Sequence, residues 1–203
     1  MKKYTIGLIT GALLAVSAMM CMGAQNKNLG DITVNSITVL DDGNGGFITT
    51  YNADGKETVF LGTGEGGVGI LSTSNADGKK TISLGTNIEG GGALSAYNVD
   101  GKETISLGTN IDRSGYVTTY NANGNRNAYL GFGKGGGRLI TFETDGKKTI
   151  YLGTNIEGSG GHLETFNKHE VQTGYFGTIK NNDGVAALFD RYGDEGWSAS
   201  GKQ

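Results

Sequence analysis

A twelve-residue stretch recurs along this chain every 23 residues with few changes. It reads NADGKETVFLGT from Asn52, NADGKKTISLGT from Asn75 and NVDGKETISLGT from Asn98. Looser copies follow, and alignment on a shared glycine defines seven units, which begin at Gly46, Gly69, Gly92, Gly115, Gly137, Gly161 and Gly184. A fixed period of roughly 20 to 50 residues indicates a fold built from one supersecondary unit used many times.

Length variation is confined to one part of the unit. In each of the first six units, 16 positions separate the opening glycine from the glycine of the LG motif, as from Gly46 to Gly62. The segment that follows varies between 6 and 8 positions. Because insertions are tolerated in exposed loops and not in paired strands, we expect the TNIEGG-type segments to be surface loops.

The constant part of each unit is typical of strand, turn and strand. FITTYN (Phe47–Asn52) and KETVFLG (Lys56–Gly62) are rich in β-branched and aromatic residues and alternate with period two. NADG between them carries turn chemistry, because Asn and Asp bond their own backbone and Gly accepts positive φ. The chain has 38 glycines and no proline, and their periodic placement favours ordered turns.

One possible assembly makes each unit one coil of a β-solenoid. Ile48, Thr50, Val59 and Leu61 would then point inward, and like residues would stack at about 4.8 Å. Such stacking predicts an amide ladder, a hydroxyl ladder and an aliphatic ladder. Their members are Asn52, Asn75, Asn98, Asn121 and Asn167; Thr58, Thr81, Thr104, Thr149 and Thr173; and Leu61, Leu84, Leu107, Leu130 and Leu152.

The other assembly makes each unit an antiparallel hairpin with a three-residue loop. That pairing places Ile48 and Leu61 on opposite faces of the sheet, and both faces would need cover from further chains, as in a trimeric fibre. The predicted fold class is therefore all-β, with tandem repeats of about 23 residues that form a β-solenoid or, alternatively, repeated hairpins in a trimeric β-meander fibre.

The N-terminus has the layout of a secretory signal peptide over residues 1–24. Lys2 and Lys3 precede an apolar run from Ile6 to Met20, and small residues place the cut near Gly23 or Ala24. The alternatives are an uncleaved anchor or a lipoprotein attached through Cys21. Cleavage would remove the only cysteine, and we expect a secreted or cell-surface protein with no membrane span in the mature chain.

Three segments are expected after the signal peptide. Residues 25–45 form an N-terminal cap that includes the strand DITVNSITVL (Asp31–Leu40), residues 46–200 form the seven-repeat domain, and residues 201–203 form a tail. The sequence YGDEGWSASGKQ departs from the repeat and is expected to cap the exposed end of the fold.

Few residues suggest chemistry. Among the non-repeated residues, the two histidines His162 and His169 would be the acid–base or metal pair of an enzyme, but they are interpreted as surface residues of a drifted repeat. Weak calcium candidates are the loop carboxylates Glu65, Glu89, Asp112 and Glu157. No cofactor is expected, and a net charge of −3 without a basic patch argues against nucleic acid.

The stretches GGFITTYNADGKETVFLGT and RYGDEGWSASGK resemble the tandem N-x-x-G-K-x-x-x-x-L-G repeats of uncharacterised secreted or surface proteins of bacteria. The resemblance covers about residues 31–201 and implies a secreted β-repeat protein, without a catalytic or binding residue to carry over.

These observations favour a structural protein over an enzyme, because a repeat presents the same groups everywhere and not a few different groups at one place. We expect self-association, head to tail or lateral, into a surface fibre, spike or extracellular matrix. The alternative is an adhesion module whose inter-repeat loops bind a surface glycan or matrix, with Tyr51, Tyr97, Tyr120, Tyr129, Tyr151 and Tyr175 as candidate aromatic strips.

Overall fold

The computed structural model describes residues 33–41, 43, 45–154 and 160–201, together with Leu13, Leu14 and Ser17. The predicted cleavage site, Cys21 and Glu157 lie outside the described residues. The chain divides into two compact units, residues 1–38 and 39–203. In the first unit, Leu13, Leu14 and Ser17 are helical. No helix in the described part of the chain is long and apolar enough to cross a membrane.

The described residues of the second unit contain fourteen strands. They are β1 (Phe47–Tyr51), β2 (Glu57–Thr63), β3 (Gly69–Ser74), β4 (Lys80–Thr86), β5 (Gly92–Tyr97), β6 (Glu103–Thr109), β7 (Gly115–Tyr120), β8 (Arg126–Gly133), β9 (Gly136–Phe142), β10 (Lys148–Thr154), β11 (Gly161–Phe166), β12 (Gln172–Thr178), β13 (Gly184–Phe189) and β14 (Glu195–Ser200). A single 3₁₀ turn, Glu65–Gly67, lies between β2 and β3.

All fourteen strands form one sheet in which each strand pairs with the next in sequence order. Every pair is antiparallel, from β1·β2 to β13·β14, so the predicted all-β repeat fold is confirmed. Of the two assemblies, the structure has the repeated hairpins, and the coils of a β-solenoid are not formed among the described residues. The reason is that both connections of a unit are tight reversals, as the bonds Asn52 N to Lys56 O (2.9 Å) and Asn87 N to Gly91 O (2.7 Å) show.

The recurring asparagines hold the turns and join neighbouring hairpins. Asn52 Oδ1 accepts hydrogen bonds from the backbone N–H groups of Asp54 (3.1 Å) and Lys56 (2.9 Å), while its Nδ2 donates to the Ala76 carbonyl in the next hairpin (3.0 Å). Asn121 and Asn167 make equivalent bonds to the next hairpin. The predicted amide ladder is therefore replaced by amide-to-backbone bonds.

A one-residue bulge shifts the register inside each hairpin. Thr50 pairs with Val59 and Tyr51 with Glu57, which leaves Thr58 as the extra residue. The Thr58 and Thr50 hydroxyls lie 2.8 Å apart, and Thr58 Oγ1 also donates to the Thr50 carbonyl (3.2 Å). Thr81, Thr104, Thr149 and Thr173 occupy the same bulge position. Their hydroxyls bond within their own hairpins and not to one another, so the predicted hydroxyl ladder is not formed.

Because of the bulge, the side chains that share a face of the sheet differ from those expected for a simple hairpin. Ile48 pairs directly with Leu61, and residues that pair across an antiparallel ladder point to the same face. The extra residue at position 58 displaces the second strand by one position, which turns every later side chain to the other face. Ile48, Thr50, Val59 and Leu61 therefore share one face, as the solenoid hypothesis required, but within a hairpin.

Two expectations for the ends are corrected. Residues 33–41 form no strand, although DITVNSITVL predicts one, because no described strand pairs with them and Val34 and Ile37 stay largely exposed. The C-terminal sequence is not an irregular cap. Residues Glu195–Ser200 form strand β14, which among the described residues pairs only with β13, at the end of the sheet.

Candidate functional site

One face of the sheet carries an unbroken row of apolar side chains that runs across all fourteen strands. We call this face the leucine face, and the row consists of Ile48, Leu61, Leu71, Leu84, Leu94, Leu107, Val117, Leu130, Leu139, Leu152, Leu163, Phe176, Ala186 and Ala199. The five predicted ladder leucines all lie in this row. They are not direct neighbours of one another, because one further strand lies between each leucine and the next.

A second row on the leucine face is also free of charge. It comprises Thr50, Val59, Thr73, Ile82, Ala96, Ile105, Thr119, Ala128, Thr141, Ile150, Thr165, Gly174, Leu188 and Trp197. The charged strand residues, such as Glu103, Arg138 and Glu164, lie on the other face. The fold therefore separates apolar from charged side chains across a single layer.

In the described part of the chain, the ladder leucines of the leucine face are about half exposed. The exposed fractions of Leu61, Leu84, Leu107, Leu130 and Leu152 lie between 44% and 56%. Towards the C-terminus, the small residues Gly161, Ala186 and Ala199 shape this face into an apolar groove of about 800 Å³. Soluble monomers rarely expose contiguous apolar patches of more than a few hundred Å², so a face of this kind indicates an interaction surface.

The opposite face, the tyrosine face, is covered by its own side chains over β7 to β12. One planar group per strand forms a zigzag: Tyr116, Tyr129, Arg138, Tyr151, His162 and Tyr175. Ring centroids lie 5.1 Å apart for Tyr151 and His162 and 5.5 Å apart for His162 and Tyr175. The Arg138 guanidinium lies 5.1 Å from the Tyr129 ring centroid. Such stacked and cation–π pairs each stabilise a partly buried layer by roughly 0.5–1.5 kcal/mol.

Three tyrosines of this zigzag lie along their own strands. The hydroxyls of Tyr129, Tyr151 and Tyr175 each donate to the backbone carbonyl three residues later, at Phe132, Thr154 and Thr178. Gly131 provides the room for Tyr129, because a Cβ on Gly131 would lie 2.5 Å from the Tyr129 hydroxyl. Burial raises the pKa of Tyr175, and the nearby Glu164 carboxylate raises this pKa further.

A cleft of about 540 Å³ opens on the tyrosine face. Tyr129, Arg138, Tyr151 and His162 line it, together with further strand residues and with the β6–β7 and β8–β9 loops. His162 is only 9% exposed, and two buried nitrogens here, His162 Nδ1 and Arg138 Nε, have no hydrogen-bond partner among the described residues. The cleft therefore combines aromatic rings with polar groups that a ligand could satisfy.

The two histidines are not brought together. His162 lies near the start of β11 and faces the tyrosine face, with Nε2 at 3.6 Å from Glu164 Oε1. His169 lies beyond the other end of β11, in the turn that follows it. This separation does not fit an acid–base pair that acts at one site, because both imidazole groups would have to reach the reacting atoms of the same substrate.

The calcium candidates lie on separate loops. Glu65, Glu89 and Asp112 each follow a different even-numbered strand, so adjacent members of the set are two strand spacings, about 10 Å, apart along the edge. A calcium ion needs 6 to 8 oxygen ligands at about 2.3–2.6 Å. No group of three or more His, Cys, Asp or Glu that could hold a metal occurs in the described part of the chain.

Sequence reasoning missed the role of Arg138 and His162 in the zigzag. The sequence nevertheless contained a signal for an aromatic row in this region. The residue two positions before the LG glycine is Ser83 or Ser106 in earlier units and Tyr129, Tyr151 or Tyr175 in later units. Of the predicted tyrosine strips, Tyr51, Tyr97 and Tyr120 instead lie at the turn end of this face. No protein-family model and no curated protein sequence matches this chain.

Proposed function

We propose that this is an exported structural protein whose copies pack against one another through the leucine face, and that it contributes to a surface fibre, spike or extracellular matrix. One observation carries the proposal: two uncharged rows cross all fourteen strands on one face, with the ladder leucines about half exposed. The charged strand residues lie on the other face, which over β7 to β12 is covered by its own stacked side chains. The N-terminal sequence pattern supports export.

The area of the leucine face fits a second copy of the chain as its binding partner. Fourteen strands at about 4.8 Å make the strip roughly 60 Å long, and its two rows with their margins are about 14 Å wide. The resulting area, on the order of 800 Å², matches what each partner contributes to a stable protein–protein interface. Packed sheets lie about 10 Å apart, a spacing that interdigitating Leu and Ile side chains fill.

Sedimentation equilibrium of the mature chain tests this proposal. We expect dimers or larger assemblies at micromolar concentration, because burying one half-exposed leucine stabilises by about 1–2 kcal/mol and the row holds many. A chain that stays monomeric at the highest soluble concentration contradicts the proposal. Monomers that bind lipid vesicles would contradict it as well, because lipid would then cover the leucine face.

The cleft on the tyrosine face favours a second function, adhesion to a glycan. Sugar rings stack on aromatic side chains, and the polar groups of Arg138, Lys134 and Glu164 at this cleft could bond hydroxyl or acidic groups. On a glycan array, we expect binding that Lys134→Ala weakens at least about tenfold, equivalent to about 1.4 kcal/mol. Lys79→Ala, at an exposed turn outside the cleft, is the matched control. An array without binding, or equal loss in both variants, argues against this function.

A further inference from the structure

Both terminal strands of the sheet have an open edge. In the described residues, β1 pairs only with β2, and β14 pairs only with β13. Val39 and Leu40 do not occupy the open edge of β1. They lie in the direction in which a Cβ on Gly46 would point, which is on the leucine face and not beside β1. Natural proteins normally protect such edges with Lys, Pro or a bulge. Strand β1, FITTY, carries no charge. Strand β14, EGWSAS, carries one, at Glu195, and has its bulge residue at Gly196, so that Trp197 to Ser200 remain without either protection.

We propose that β14 of one copy pairs with β1 of the next, so that the sheet continues from copy to copy. This inference rests on the proposed self-association but uses the sheet edges instead of the leucine face. Because the number of strands is even, β14 runs opposite to β1, and a following copy in the same orientation continues the antiparallel order. A contact between two different surfaces of the same chain leaves a free surface on each end copy, and it produces a filament unless the rotation between copies closes a ring.

The repeat defines the register of this seam. Leu61 and Ala199 occupy equivalent positions, and so do Leu71 and Ile48. Since Leu61 pairs with Leu71 inside the chain, Ala199 should pair with Ile48 of the next copy. The leucine row would then run through the seam without interruption.

Backbone hydrogen bonding is consistent with that register. Gly201 N donates to Gly184 O (2.9 Å), and Thr63 N donates to Gly46 O (3.0 Å). Bonding alternates along a strand, so the outward-pointing N–H and C=O groups belong to Ser198 and Ser200 on β14 and to Phe47 and Thr49 on β1. The seam brings Ser198 opposite Thr49 and Ser200 opposite Phe47, and each pair can exchange two bonds. Ala199 and Ile48 then form a close pair whose Cα atoms are about 4.5 Å apart.

Intermolecular disulfide formation tests the seam, since this Cα separation lies within the disulfide range of about 4.4–6.8 Å. All variants carry Cys21→Ser, which leaves the introduced thiol as the only one. We expect a linked dimer when chains with Ala199→Cys and chains with Ile48→Cys are mixed and oxidised, and none with either alone. Ser198→Cys replaces Ala199→Cys as the register control, because it faces the other side, and it should not link.

The other outcomes separate this proposal from the leucine-face proposal. Self-association without the mixed disulfide overturns the seam and leaves face packing standing. Links within Ala199→Cys chains alone or Ile48→Cys chains alone also overturn the seam, because the copies then meet in another geometry. A wholly monomeric protein overturns both. As a second variant, Ser198→Pro removes one outward N–H while the pairing with β13 is kept, and we expect filaments to shorten to single copies or face-packed pairs.

Discussion

Leu84→Glu should abolish the proposed association through the leucine face, which leaves monomers or copies that are joined only at their sheet edges. Leu84 pairs with Leu71 and Leu94 in the middle of the leucine row and is 44% exposed in the single chain. The monomer can therefore hold a carboxylate there in contact with water, whereas packing of a second copy would bury that charge without a partner. Such burial costs several kcal/mol, and a cost of about 4 kcal/mol weakens association about 1000-fold.

Ser83→Glu is the matched control for this variant. Ser83 is the neighbour of Leu84 in β4, but it faces the tyrosine face and pairs with Ser72 and Ser95. Both variants change the net charge of the chain by the same amount, so a general effect of charge would appear in both. Sedimentation equilibrium measures association, and circular dichroism verifies that both variants keep their strand content. Equal assembly of the two variants would mean that the leucine face is not the interface.

Gly85→Ala should destabilise the sheet by about 2–3 kcal/mol. A Cβ on Gly85 would lie 2.6 Å from the Gly69 carbonyl oxygen and 3.3 Å from Ile70 Cα, so the backbones of β3 and β4 would have to move apart. Overpacking of this kind typically costs 1 to 3 kcal/mol, roughly, and backbone atoms yield less easily than side-chain ends. For a chain of this size, the midpoint of thermal unfolding should fall by about 5–10 °C.

Gly92→Ala provides the contrast for the Gly85 variant. Gly92 is a strand residue of β5 with ordinary φ, and nothing lies within 4 Å of the Cβ that alanine would add. Its stability should stay unchanged or rise by up to about 1 kcal/mol, because alanine restricts the unfolded chain. Thermal unfolding must be followed at equal protein concentrations, since association shifts the midpoint. A similar loss of stability in both variants would show that the recurring glycines are explained by strand flexibility, which alanine lowers, and not by the close approach of neighbouring backbones.

The candidate sites were predictable only in part. The five ladder leucines were predicted as a set from their spacing, and the structure places all of them in one row. The cleft was not predicted, because its members Tyr129, Arg138 and His162 come from three different units and look like drift when each unit is compared with the consensus. Their proximity follows from the pairing of β8 with β9 and of β10 with β11, both between neighbouring units, which no single unit encodes.

The amino-acid sequence by itself determined the number of units, the two strands of each unit, the Asn-based turns and the position of the variable loops. These features are local, since strand periodicity, turn residues and tolerated insertions depend on a few neighbouring positions. Tertiary structure alone decided how the units assemble and which residues share a face. The bulge at Thr58 moves the register by one residue, and with period-two side chains one residue decides between the two faces of the sheet. The charge-free leucine face, on which the proposed assembly depends, exists only as a result of that shift.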